Sequence, residues 1–199
     1  NFYEIGGTED FLRWAFPLVK HGADAVYCSG SLATVRALAD HALPVCGHVG
    51  LIPPKATWTG GFRAVGKTAE TAMLVWQQVK ALEEAGAFCA EIEVVPARVA
   101  TEISKRSALF LISMGSGAGC DAQYLFAEDV LGSNRGHYPR HSKKYRDFAK
   151  AYDKLQRERV AAFSEYAADV KSGAYPAQEH MVEVPDKELK RFLAQIKNG

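Results

Sequence analysis

Two side chains in this sequence have the types and spacing to do chemistry together. His48 lies in Pro44-Val-Cys-Gly-His-Val-Gly-Leu51, and Glu93 lies in Glu91-Ile-Glu-Val-Val-Pro96. Each sits at the end of a short apolar run, and successive runs of this kind read as strands. In a parallel barrel the carboxyl ends of the strands form the face where catalysis is done, so both groups could reach one small substrate there. Glu93 stands in apolar company, and burial raises a carboxylate's pKa and makes it a useful base. The competing reading is a carboxylate that caps the next helix. A histidine at a strand end is often a satisfied core group, but Gly47 and Gly50 suit close backbone approach and favour a site.

The elements that must position this pair alternate regularly. Helical periodicity from Thr8 to His21 is followed by a buried strand from Ala23 to Cys28. A helix over 31–41, a strand over 43–46 and a long helix over 68–85 come next. Strand 87–92, a helix opened by Pro96 and running to 106, strand 108–114, a strand near 123–126 and a long helix over 142–171 complete the series. Repeated strand-helix units imply an α/β fold with a parallel sheet, here of five strands. A complete eight-stranded barrel typically needs about 250 residues, and five strands alone would leave parallel edges open. The expectation is a single domain, residues 1–199, forming part of a (β/α)8 barrel with C-terminal helices.

Composition narrows the class. The 199 residues are 48% hydrophobic with a formal net charge of +1, enough apolar content for one core and too little charge for a nucleic-acid or membrane-binding surface field. No apolar run is long enough to span a bilayer and no signal peptide is visible, so a cytoplasmic protein is expected. Cys28, Cys46, Cys89 and Cys120 are widely spaced and read as reduced thiols, the first three buried. The chain begins with Asn1, which is not an ordinary translation start.

Three further motifs carry alternative readings. Gly61-Phe-Arg-Ala-Val-Gly-Lys-Thr68 matches the phosphate-loop pattern, but that motif needs a buried strand before it, and Pro53 to Thr59 reads as loop. Gly115-Ser-Gly-Ala-Gly119 is either an anion cradle or active-site wall, or a tight turn. Between Arg135 and Arg159 nine Lys or Arg face three Asp or Glu. Such runs are usually a solvated face, although a polyanionic ligand or a subunit contact would also suit it.

Seven collinear segments resemble the ketopantoate hydroxymethyltransferase family of the phosphoenolpyruvate mutase and isocitrate lyase superfamily. They are Gly22-Ala-Asp-Ala-Val26, the His48 segment, Gly60 to Lys67, Leu82 to Phe88, Ile92-Glu-Val-Val-Pro96, Gly115 to Gln123 and Ser172-Gly-Ala-Tyr-Pro176. The resemblance implies a TIM-type barrel, with the family's first three strand-helix units falling before residue 1. It implies that Glu93 deprotonates 3-methyl-2-oxobutanoate beside its keto group, with His48 binding the substrate. Magnesium would hold the enolate, 5,10-methylenetetrahydrofolate would donate the one-carbon unit, and ketopantoate would be formed for pantothenate synthesis. A homo-oligomer is expected.

The chain departs from the family after Gly-Ala-Asp-Ala-Val. Tyr27 replaces a substrate-binding lysine, and Ser29 replaces a glutamate of the magnesium site. The family's two magnesium-binding aspartates lie on earlier strands, without counterparts in residues 1–21. Tyr27 would offer the substrate a phenolic hydrogen bond in place of a charge. Two other outcomes stay open: a diverged carbon-carbon bond-forming or cleaving enzyme acting on another 2-keto acid, and a catalytically silent paralogue.

Overall fold

The computed structural model describes residues 6–197. The chain divides into two compact units, residues 1–146 and 147–199.

The first unit contains the sheet. Its elements run α1 (Thr8–Lys20), β1 (Val26–Tyr27), α2 (Leu32–Asp40), β2 (Val45–Gly50), a 3₁₀ helix (Pro53–Thr59), α3 (Ala69–Glu84), β3 (Cys89–Glu93), α4 (Ala97–Ser104), β4 (Phe110–Met114), β5 (Ala122–Gln123) and α5 (Ala127–Leu131). All four strand pairings are parallel and the spatial order is the chain order, β1-β2-β3-β4-β5. Each crossover up to β4 carries one of the helices α2, α3 or α4, the connection a parallel pair requires.

Local chemistry sets the helix starts. Ser31 Oγ accepts from Thr34 N at 3.1 Å to open α2, and Thr68 Oγ1 accepts from Thr71 N at 3.2 Å to open α3. Such caps satisfy amides that have no partner inside the helix. In α3, Val75, Val79 and Leu82 are buried at helical spacing, each contributing about 1.5–3 kcal/mol by burial.

Alternation along the strands divides the sheet's two faces. Val45, Val49, Ala90, Ile92 and Leu111 join Val75, Val79 and Leu82 in one apolar core. A Cβ added to Gly47 would meet Leu82 Cδ1 at 2.6 Å, so a side chain at this strand position would force Leu82 of α3 to move. The other face carries Tyr27, Cys46, His48, Glu91, Glu93, Ile112 and Met114, which share a cavity. Register pairs His48 with Glu91, Gly50 with Glu93, and Glu93 with Met114. A slip of one residue would send these polar groups into the apolar core.

The five strands and the helices between them lie where the sequence places them, with different limits. β2 continues to Gly50, so His48 lies within the strand and not beyond its end. β1 and β5 are only two residues long. Residues 53–59 form a 3₁₀ helix and α5 a single short turn, both too brief to leave a periodic signal. The second unit holds α6 (Phe148–Ser172), a 3₁₀ turn (Gln178–His180) and α7 (Asp186–Ile196). Helix α6 begins six residues later than its pattern suggests, where Asp147 Oδ1 accepts from Lys150 N at 3.2 Å. No residue of α6 is buried, so its basic residues form a solvated face. No described helix is long and apolar enough to cross a membrane.

Candidate active site

The strand face opposite the apolar core lines a cavity of about 460 Å³. Tyr27 and Ser29 come from β1 and its end, Cys46 and His48 from β2, Glu91 and Glu93 from β3, and Ile112 and Met114 from β4. Ala122 to Tyr124, Phe126, Pro53 and Pro54 complete the wall. All four residues that sequence reasoning assigns to a site, Tyr27, Ser29, His48 and Glu93, therefore meet in one place.

Backbone geometry fixes Glu93. Leu51 N donates to Glu93 O at 2.9 Å, and Val94 N donates to Met114 O at 2.8 Å. Ser116 Oγ donates to Ile92 O at 2.9 Å and accepts from Val95 N at 2.9 Å, joining the loop after β4 to the end of β3. Between these ties Val94 has φ of 50°, a left-handed conformation that a β-branched residue rarely adopts. Strain of this kind persists where surrounding contacts over-determine it, and it concentrates at functional sites. Gly50, at φ of 84°, makes the close approach possible, since a Cβ there would lie 2.4 Å from Glu93 O.

The polar groups are close but incompletely paired. His48 Nε2 is 3.1 Å from Glu93 Oε2, within ion-pair distance. The contact is not aligned as a hydrogen bond, and Nε2 has no hydrogen-bond partner. His48 Nδ1 is hydrogen-bonded to the Tyr27 hydroxyl. The Ser29 hydroxyl is also buried without a partner. Buried polar groups left in this state cost about 1–3 kcal/mol each, which marks them as poised for a ligand more than for stability.

Glu91 is the residue that sequence reasoning missed. It is buried at 6% exposure, interacts with Tyr27 and shares the cavity with His48 and Glu93. Burial pushes its carboxyl above the ordinary carboxylate range and the Glu93 charge adds to this, against the opposing pull of His48 and the Tyr27 hydroxyl. Burial, then the Glu91 charge, push the Tyr27 phenol upward as well. The signal for Glu91 was available: strand alternation puts residues 91 and 93 on one face. One ligand atom from each of His48, Glu91 and Glu93 lies within 4.8 Å of the others.

Residues 115–121 are not among those lining the cavity, which favours the tight turn over the active-site wall. Its glycines make close packing possible: a Cβ on Gly115 would strike His141, one on Gly117 would strike Ala97, and one on Gly119 would strike Thr101. The tight-turn reading accounts for it, with Ser116 as the member that ties the loop to the end of β3. The phosphate-loop pattern at 61–68 follows a 3₁₀ helix and not a strand, so it lacks the framework nucleotide binding requires. Cys46 is only partly buried, where a fully buried thiol was expected, because it faces the cavity. Its Sγ lies 3.3 Å from that of Cys89 on the paired strand, and all four cysteines are free thiols.

Comparison with known proteins identifies the family. The family model described as ketopantoate hydroxymethyltransferase matches residues 2–178. The chain is 38% identical over 197 residues to a 3-methyl-2-oxobutanoate hydroxymethyltransferase of Nitratidesulfovibrio vulgaris strain DP4, covering 98% of this chain and 62% of the relative. A protein of the same name from Pyrobaculum neutrophilum is 42% identical over 181 residues, covering 89% and 66%. One from Nitrosopumilus maritimus is 36% identical over 191 residues, covering 94% and 66%. The chain thus spans a little under two thirds of the length of these relatives. With a match this extensive, and with His48 and Glu93 meeting in the cavity, the chain belongs to the ketopantoate hydroxymethyltransferase family.

Proposed function

We propose that this chain provides the acid-base side of a hydroxymethyl transfer to 3-methyl-2-oxobutanoate, forming ketopantoate. The observation that carries the reading is Glu93, a buried carboxylate 3.1 Å from His48 Nε2 and facing a cavity sized for a small molecule. Glu93 takes the proton from the carbon beside the keto group, breaking that C–H bond and leaving an enolate. With the Tyr27 hydroxyl donating to Nδ1, His48 carries its proton on Nε2 and donates to the keto oxygen as charge develops there. Water adds to the methylene carbon of 5,10-methylenetetrahydrofolate and both of its C–N bonds break, releasing tetrahydrofolate and formaldehyde. The enolate carbon then bonds to the formaldehyde carbon as its C=O π bond opens, and the resulting alkoxide takes the proton back from Glu93. A positioned general base contributes about 10²–10⁴ in rate.

Magnesium, which the family resemblance implies, fits these residues poorly. Ser29 offers a neutral hydroxyl where the family has glutamate, and the charged cluster in the cavity includes an imidazole nitrogen. Magnesium prefers oxygen ligands in near-octahedral array. The missing lysine and glutamate favour a second reading, a diverged enzyme acting on another 2-keto acid with the same base. The five-stranded parallel sheet supports a barrel framework for either reading. Exposed Tyr152, Leu155, Phe163 and Tyr166 on α6 support a homo-oligomer, and four free thiols support a reducing, cytoplasmic setting.

The test is product formation. Incubation with 3-methyl-2-oxobutanoate and methylenetetrahydrofolate should yield ketopantoate, lost in Glu93→Gln. Transfer to a different 2-keto acid, again lost in Glu93→Gln, would select the second reading. Turnover unaffected by Glu93→Gln would defeat both.

A further inference from the structure

We infer that His48, Glu91 and Glu93 form a binding site for a divalent transition ion of the zinc class, separate from the magnesium site of the family. Three ligands converge on one point: an imidazole and two carboxylates, with one atom from each within 4.8 Å of the others, all buried. Acidic clusters are common, but two further observations point to a ligand here. His48 Nε2 is buried with no hydrogen-bond partner, and so is Ser29 Oγ on the same cavity wall. Both residues are more than nine-tenths buried.

The surroundings suit a metal-binding histidine. A ligating imidazole characteristically donates its other ring N–H to an oxygen, which fixes the tautomer and the ring's orientation. His48 Nδ1 is hydrogen-bonded to the Tyr27 hydroxyl, and Tyr27 in turn interacts with Glu91. In the ion-bound form Nδ1–H donates to the Tyr27 oxygen and the phenol O–H donates to Glu91, leaving the Nε2 lone pair directed at the ion. One imidazole and two carboxylates make a three-ligand set that leaves a coordination position open, and the cavity stands beside it. Imidazole selects zinc, cobalt or iron over magnesium.

The inference does not rest on the proposed function. It does constrain it: Glu93 held by an ion is a ligand and not a free base. Zinc and proton abstraction are therefore mutually exclusive uses of this cavity.

Equilibrium binding of Zn²⁺, Co²⁺ and Mg²⁺ to the 199-residue chain tests it without measuring activity. One equivalent of Zn²⁺ or Co²⁺ should bind, with Mg²⁺ weaker by about a hundredfold or more. Bound Co²⁺ should show visible ligand-field bands without a near-ultraviolet thiolate charge-transfer band. Glu91→Gln should weaken Co²⁺ by about a hundredfold, and Tyr27→Phe by about tenfold to a hundredfold. A thiolate band would place the ion on Cys46 and Cys89 and overturn the inference, a result readable in the wild-type chain even if a variant misfolds. Absence of stoichiometric binding, equal affinity for Mg²⁺, or unchanged affinity in folded Glu91→Gln would also overturn it.

Discussion

Glu91 and Asp129 are both buried carboxylates, yet their surroundings push them in opposite directions. Asp129, at the corner formed by α5 and the segment after it, accepts from Ser142 Oγ at 2.5 Å and from Asn134 Nδ2 at 2.9 Å. These hydrogen bonds hold its carboxyl below the ordinary range. Glu91 has mainly burial and a neighbouring carboxylate, and is held above it. Glu83 behaves like Asp129: burial pushes it up, but hydrogen bonds from Lys80, Ser107 Oγ and Ala108 N win and lower it. Carboxylates with a full set of donors fasten chain segments together. Those left short of donors occur where the sheet opens into the cavity.

The largest effect that would sharpen this contrast is at the cavity's backbone frame. Gly50→Ala combines a left-handed φ with a Cβ that would overlap Glu93 O, so a loss of about 3 kcal/mol or more is expected in chemical denaturation. Ordinary stability in this variant would show that the approach of β2 to β3 is not the constraint described. Ser116→Ala should cost about 1–3 kcal/mol, because a buried carbonyl and a buried amide lose their shared partner.

Asp129→Asn comes next, at about 1–2 kcal/mol near neutral pH. Its pH dependence follows from the depressed pKa. The contribution is fully present above the unfolded value of about 3.9 and is lost as pH falls through the lower folded value. The difference between wild type and Asp129→Asn should therefore shrink in acid, as measured by denaturation at several pH values. A gap that widens in acid would reverse the assignment of Asp129 as a satisfied carboxylate.

The smallest effect is expected at Glu91. In chelator-treated protein near neutral pH, Glu91→Gln should be neutral or stabilising by up to about 1 kcal/mol, since it removes a buried charge while keeping the shape. Destabilisation comparable to that of Asp129→Asn would erase the distinction between the two regions.

Much of the framework was legible because strand-helix alternation leaves a strong hydrophobic period, and all five strands were found in order. His48 and Glu93 were legible as polar residues interrupting apolar runs. Glu91 obeys the same alternation but was overshadowed by Glu93, two positions away. The link between Tyr27 and His48 depends on the register of β1 against β2, which no local pattern encodes. The loop 115–121 leaves two readings open in the sequence, because glycines serve an anion cradle and a tight turn alike; in the fold they permit packing against Ala97, Thr101 and His141.

The central claim is that Glu93 is a working base in this cavity, and hydrogen-deuterium exchange tests it without any one-carbon donor. In deuterated buffer with chelator present, the wild-type chain should exchange the proton beside the keto group of 3-methyl-2-oxobutanoate. Glu93→Gln should slow that exchange by about 10²–10⁴ while keeping its fold. Exchange at the wild-type rate in folded Glu93→Gln would place the base elsewhere, and no exchange by wild type across several branched 2-keto acids would contradict the claim outright.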